Sequence, residues 1–419
     1  MRLKINNVGR IKWADVEMDG ITVICGDNDT GKSTVGKLLY CIYASLYSLP
    51  DSIYQERLSS LMSTYNTQRF HRPLDLAKAE SIFRELLDDA SPTKDTIMET
   101  VNNLLHDEDE SFKEPVGTIV KRMERYLAVT DREIVTAFLQ RNIEREFGGK
   151  LANVNVTPQK ADVSLDMKEG SISFHTNGEN QKVMLDHWLS LDKRLIYIDD
   201  PFILDEVGRP MYQRFSNEHH RYALLNLIQR AVETEAGNVV EEIARDARLH
   251  EITETMRNIS DGTLVFEDGE LKYRHTGLKE NLSLVSVSTG IKTFAILRVL
   301  LERGYIEENG VIVMDEPEVH LHPEWQIRLA EITVLLQKSL DLNIVITTHS
   351  VEFLTAIEFF SKKHGVQEKC RFYLTEIEEA AIPGDLARVV FRNTTKDMEK
   401  IYSSISEPYL KIYEQMEGD

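Results

Sequence analysis

One stretch constrains this 419-residue chain more than any other: Gly26-Asp27-Asn28-Asp29-Thr30-Gly31-Lys32-Ser33, followed directly by Thr34. It fits the pattern G-x-x-x-x-G-K-[ST] without a mismatch. Ahead of it, Ile21-Thr22-Val23-Ile24-Cys25 is apolar and β-branched, as a buried strand is. Behind it, Val35-Gly36-Lys37-Leu38-Leu39-Tyr40 has helix-compatible spacing. A strand turning into a helix through two glycines aims backbone N–H groups at one spot, where the helix N-terminus adds partial positive charge. Such a cradle holds phosphate. Lys32 would then reach the β- and γ-phosphates of ATP, and the Ser33 hydroxyl would hold Mg2+. Gly26, Asn28, Asp29, Thr30, Gly31, Lys32, Ser33 and Thr34 are therefore the expected nucleotide-binding residues.

The chain exceeds the usual size of one compact domain, so a large domain with an insertion, or two domains, is expected. Its net charge of −20, from 49 basic and 69 acidic residues, weighs against a general nucleic-acid clamp. Such clamps gain affinity by neutralising phosphates and carry a basic surplus. Cys25, Cys41 and Cys370 have neither C-x-x-C nor metal-ligand spacing. The N-terminus lacks a signal-peptide core, and no apolar run approaches membrane-spanning length. A cytoplasmic, reduced chain with no membrane partner is expected.

Residues 1–45 read as strand, turn, strand, phosphate loop and helix, with Leu3-Lys4-Ile5 and Ala14 to Met18 alternating as edge strands do. Residues 46–260 read as a mostly helical insertion with a β-hairpin near 161–174. Ser91-Pro92 is a helix break, Asp107-Glu108-Asp109-Glu110 a wet loop, and Gly237-Asn238 an interruption of the helical stretch from 211 to 259. Strand signals return at Leu195-Ile196-Tyr197-Ile198, and a second hairpin spans 263–274 across Glu267-Asp268-Gly269-Glu270. Residues 261–375 read as the other part of an α/β unit, and 376–419 as a strand and closing helix.

Three further stretches accompany the phosphate loop. Val311-Ile312-Val313-Met314-Asp315-Glu316-Pro317 is a buried strand ending in two carboxylates. Asp315 is placed to hold Mg2+ through its water shell, and Glu316 to orient an attacking water. Asn343 to Thr348 is another buried strand, ending at His349, which could donate to the γ-phosphate. Ser288-Thr289-Gly290 opens a helix with Ser288 as N-cap and Gly290 leaving its entrance free of a side chain.

This order of motifs resembles the ABC-type ATPases. The wording Asp315-Glu316-Pro317-Glu318-Val319-His320-Leu321-His322-Pro323 resembles their RecF/SMC/OLD-like branch, including ATPase subunits of bacterial anti-phage systems. The resemblance covers roughly 1–45 and 260–375, with weaker likeness at Tyr197-Ile198-Asp199-Asp200-Pro201. It implies an α/β, ABC-type P-loop ATPase head, a mixed sheet with flanking helices, interrupted by a mainly helical insertion. It makes Lys32, Glu316 and His349 catalytic, Ser33 and Asp315 the metal residues, and Ser288 and Gly290 contacts to the γ-phosphate held by a second copy. Thr289, Ile291-Lys292 and His322 depart from the usual pattern and fit slow rather than fast hydrolysis. Gln140 is the candidate for the glutamine that usually follows the first helical region, with a surface role equally open. Too little chain follows His349 for the nuclease domain of OLD relatives, and Glu414, Glu417 and Asp419 lie in a tail. The resemblance thus implies an ATP-dependent homodimer or higher oligomer acting as sensor or scaffold for a separately encoded effector; the alternative is a DNA-repair ATPase that clamps duplex DNA.

Overall fold

The computed structural model describes residues 1–66, 76–89, 92–105, 115–178, 180–206, 219–233, 239–259, 261–267, 269–378 and 387–417. The expected break at Ser91, the acidic run 107–110, the interruption at Gly237-Asn238, the hairpin-turn residue Asp268 and the terminal Asp419 lie outside them.

The chain divides into two compact units. The first comprises Met1–Ala44, Gln140–Leu189 and Lys193–Asp419. It is built on an eleven-stranded sheet whose strands are β1 (Arg2–Val8), β2 (Ile11–Glu17), β3 (Ile21–Cys25), β4 (Asp162–Met167), β5 (Gly170–Asn177), β6 (Lys182–His187), β7 (Leu195–Ile198), β11 (Val311–Asp315), β12 (Asn343–Thr348), β13 (Cys370–Glu378) and β14 (Arg388–Asn393). The spatial order is β6-β5-β4-β1-β2-β14-β13-β3-β12-β11-β7. From β13 to β7 every neighbour pair is parallel, and the five strands bear buried apolar runs because helices cover both faces. From β6 to β2 the pairing is antiparallel. A separate small sheet holds β8 (Thr263–Glu267), β9 (Glu270–Arg274) and β10 (Leu282–Ser283).

The helices in chain order are α1 (Lys32–Leu46), α2 (Leu49–Asn66), α3 (Leu76–Asp88), α4 (Lys94–Leu105), α5 (Val116–Leu127), α6 (Asp131–Phe147), α7 (His219–Glu233), α8 (Val239–Ile259), α9 (Thr289–Glu302), α10 (Pro323–Leu340), α11 (Val351–Lys363) and α12 (Met398–Glu417). The core of the first unit joins Ile21, Val23, Ile312, Met314, Ile344 and Ile346 of the sheet to Phe294 and Ile296 of α9, Leu329 and Leu336 of α10, and Phe353 and Ile357 of α11.

The second unit, Ser45–Leu139 with Ser190–Asp192, is helical. Phe83 of α3, Val101 of α4 and Met123 of α5 close on Leu58 and Leu61 of α2 in a core of their own. Arg57 of α2 donates to Val129 O at 2.9 Å and Asp131 Oδ1 at 2.8 Å, fixing the turn into α6.

The hairpin near 161–174 is present, with Met167 opposite Gly170, as is the one at 263–274. Residues 140–189 and 193–260 group with the first unit, and the helical unit closes at Leu139. One expectation needs correction: β1 and β2 are interior strands, each paired on both sides. Their alternation records one buried face and one wet face, which an interior antiparallel strand shows as well as an edge strand does.

Candidate nucleotide-binding site

Parallel register brings the motifs level. Thr348 lies opposite Cys25 across β12 and β3, and Asp315 opposite Thr347 across β11 and β12. The phosphate loop, the Asp-Glu pair and the histidine therefore leave the sheet at one edge, the carboxyl end of parallel strands where open α/β sheets bind ligands.

The loop leaves β3 through Gly26, at φ +140, where a side chain is strained and a Cβ would lie 1.9 Å from Thr375 Oγ1. Thr375 of β13 donates to Cys25 O at 3.2 Å and bonds Thr30 Oγ1 at 2.8 Å, and Thr30 Oγ1 in turn bonds Asp27 O at 2.7 Å. Arg10 grips the loop from outside, through Asp29 O at 2.8 Å and Asp29 Oδ2 at 2.5 Å. Gly31, at φ +80, packs against Ile11. Thr34 N donates to Gly31 O at 3.1 Å as α1 begins. Lys32 is 4% exposed, and its Nζ donates to Gly26 O at 3.0 Å and Asp27 O at 2.7 Å, across the loop mouth. Burial pushes this ammonium below its ordinary pKa, with Glu316 and then Asp315 opposing the fall.

Ser33 Oγ donates to Asp315 Oδ1 at 3.0 Å. Thr347 Oγ1 donates to the same oxygen, and Tyr197 Oη to Asp315 Oδ2 at 3.1 Å. Glu316 turns off the strand at φ +50, its N–H donating to Thr347 O at 3.1 Å. Its Oε1 lies 2.7 Å from His349 Nε2, so these two side chains act as a pair. Glu318, 6% exposed, takes bonds from Thr348 Oγ1 at 2.5 Å and His349 N at 3.0 Å, fixing the backbone that carries the histidine. Burial raises the Glu318 carboxyl above its usual range.

Lys32, Ser33, Asp315, Glu316 and His349 are thus brought together, with Gly26, Asp29, Thr30, Gly31 and Thr34 shaping the loop that also carries Asn28. Ser288 and Gly290 share no described hydrogen bond with them. Ser288 is the exposed N-cap residue of α9, yet its side chain makes no capping bond. Gly290 is buried: a Cβ there would sit 2.5 Å from Trp325 Cζ3, so the missing side chain makes room for an indole. Lys292, 1% exposed, donates to Asp205 Oδ1 at 2.6 Å and lies 5.2 Å from the Phe202 ring centroid. His322 is the N-cap of α10, its Nδ1 accepting from Glu324 N. Gln140 is structural: it accepts from Val183 N of β6 at 2.7 Å and donates to Glu144 at 2.8 Å, at the opposite end of the sheet from β7. Sequence reading missed Thr347, Glu318 and Tyr197 as site residues. A hydroxyl within the apolar run 344–348 was the available signal for Thr347; Tyr197 stood in a stretch noted only for likeness.

The residues fit Mg2+ and a triphosphate. Gly26 and Gly31, both at positive φ, let the loop curl, a buried ammonium spans it, and Ser33 and Asp315 offer the hard oxygens magnesium takes. Phosphate loop, acidic strand end and histidine strand, level on one mixed α/β sheet, define a P-loop nucleotide hydrolase. In keeping with that, residues 1–354 match the AAA ATPase domain family, and the chain belongs to it. Among solved structures it is similar to an SMC head bound to the C-terminal winged-helix domain of ScpA, at 13% identity and TM-score 0.46, covering 95% of this chain and 98% of that one. It is also similar to the SMC head domain from Thermotoga maritima, at 11% identity and TM-score 0.37, covering 94% and 97%. A Pyrococcus furiosus SMC head bound to the C-terminal domain of ScpA gives 12% identity and TM-score 0.40, covering 96% and 98%. Similarity at that level adds nothing about this chain's partners. No helix among the described residues is long and apolar enough to cross a membrane.

Proposed function

We propose that this chain binds Mg2+ and ATP, hydrolyses ATP slowly, and closes in pairs around the nucleotide. The observation that carries the reading is the bonded set Ser33–Asp315 and Glu316–His349 beside a buried Lys32. Ser33 and Asp315 would hold Mg2+, which would supply positive charge to the triphosphate. Lys32 balances the γ-phosphate, and the Glu316 carboxylate orients the attacking water and takes its proton. His349, bonded to Glu316, keeps that carboxylate from swinging away and can face the γ-phosphate with its other edge. Ser288, with a hydroxyl not spent on capping, is suited to cover the γ-phosphate of a second copy, together with the backbone at Gly290. Shared charge then joins two subunits, and cleavage weakens the joint.

The role we propose for this cycle is that of a cytoplasmic sensor or scaffold in a bacterial anti-phage complex, with a separately encoded effector and no nuclease activity of its own. Its support is the OLD-like wording at 315–323 and an acidic chain poorly suited to clamping DNA. Glu316→Gln is expected to slow turnover at least 100-fold and to shift the chain with ATP to twice its mass in light scattering. A variant that stays at the apo mass sinks the dimer. Turnover stimulated by duplex DNA and falling steeply with salt would replace the scaffold role with the clamp.

A further inference from the structure

Asp315 is held by three hydroxyls from three elements. Ser33 of α1 and Thr347 of β12 both donate to Oδ1. Among the described residues, the Tyr197 hydroxyl alone donates to Oδ2, and it comes from the edge strand β7, 118 residues upstream. The asymmetry matters because rotation about the terminal bond of an Asp side chain is broad and nearly two-fold. Bonds to one oxygen alone leave the other free to swing or exchange with it; a donor on Oδ2 removes that freedom.

Tyr197 is itself fixed. It is 2% exposed and lies opposite Val313 in the parallel β7–β11 pair. Its ring centroid is 4.5 Å from that of His220 and 6.3 Å from that of Tyr40, edge-on. On the side of α1 the chain supplies glycine: a Cβ on Gly36 would meet Tyr197 Cε2 at 2.9 Å and Oη at 3.2 Å. A glycine inside a helix gives up helix propensity against alanine, and here it clears the way for the phenol.

We propose that Tyr197 is a positioning residue for the divalent cation, its hydroxyl pinning Asp315 Oδ2 so that Oδ1 and Ser33 Oγ are presented together. This rests on the Mg2+–ATP reading above. Tyr197→Phe keeps the ring and removes the hydroxyl. Mn2+ binding, followed by the EPR signal of free Mn2+ with a non-hydrolysable ATP analogue present, is expected to weaken about 10-fold in this variant. Analogue binding in EDTA and the melting temperature in EDTA should match the wild type, and excess Mg2+ should recover most of the turnover. Lys32→Ala and Asp315→Asn serve as controls. Mn2+ affinity unchanged in Tyr197→Phe but lost in Asp315→Asn overturns the role of Tyr197 alone. Unchanged binding in both controls overturns the nucleotide site, and this proposal with it.

Discussion

Behind Tyr197 lies a buried charge cluster whose worth can be estimated. His220 is 5% exposed, with Nδ1 2.8 Å from Glu146 Oε2 and Nε2 3.0 Å from Asp199 Oδ2. Both ring nitrogens face carboxylates, so both carry protons and the ring is an imidazolium. Arg221, 2.7 Å from Asp199 and 3.7 Å from Asp200, adds a second positive charge beside these carboxylates. Burial alone would push the imidazole down, but its bonds to Asp199 and Glu146 outweigh this and raise it from 6.5 to about 9. The folded state therefore binds this proton more tightly than the unfolded chain. A shift of that size corresponds to about 3 kcal/mol of stability, fully present below pH 6.5 and lost as pH rises through 9. Glutamine at 220 keeps hydrogen bonding but cannot carry charge. The wild type should therefore exceed His220→Gln in stability by about 3 kcal/mol more at pH 6 than at pH 9.5. For a head of roughly 320 residues this amounts to about 4 °C in melting temperature. Scanning calorimetry at the two pH values measures it, and comparing the proteins at each pH cancels groups that titrate alike in both. A gap that stays constant or widens toward pH 9.5 would mean that His220 is not held as the cation.

Two further substitutions test packing near the site. Gly36→Ala should destabilise by about 1–3 kcal/mol despite its gain in helix propensity, since the new Cβ would meet Val313 Cγ1 at 2.7 Å. Added to Val313→Ala it should cost less than alone, a coupling of about 1 kcal/mol visible in a double-mutant cycle by urea unfolding. Asp205→Ala should cost about 3–5 kcal/mol, because it strands the buried Lys292 ammonium. Lys292→Met should cost less, since the Asp205 side chain is 20% exposed and keeps water when its partner is gone; equal losses in thermal denaturation would contradict this.

The loop, the Asp-Glu strand and the histidine strand were legible because each is a local pattern: an apolar run ends and a polar residue follows, and parallel register then makes those ends flush. Gly36 was visible as a glycine but not as a passage for Tyr197, since its neighbours come from β7 and β11. Lys292 read as a departure from a motif, whereas its partner Asp205 stands 87 positions earlier and pairs with it only through the fold.

By itself the sequence determined the phosphate loop, the carboxylates and histidine at the strand ends beside it, the α/β class and most element types. All of these rest on contacts within a few residues or on periods of two and 3.6. Tertiary structure alone decided that Tyr197 and Thr347 brace Asp315, that Glu318 braces His349, and that Glu146, Asp199 and His220 form one buried ionic group. Those contacts join residues tens to hundreds of positions apart, and a side chain's partner at such separation is set by strand order and register, which no local pattern encodes.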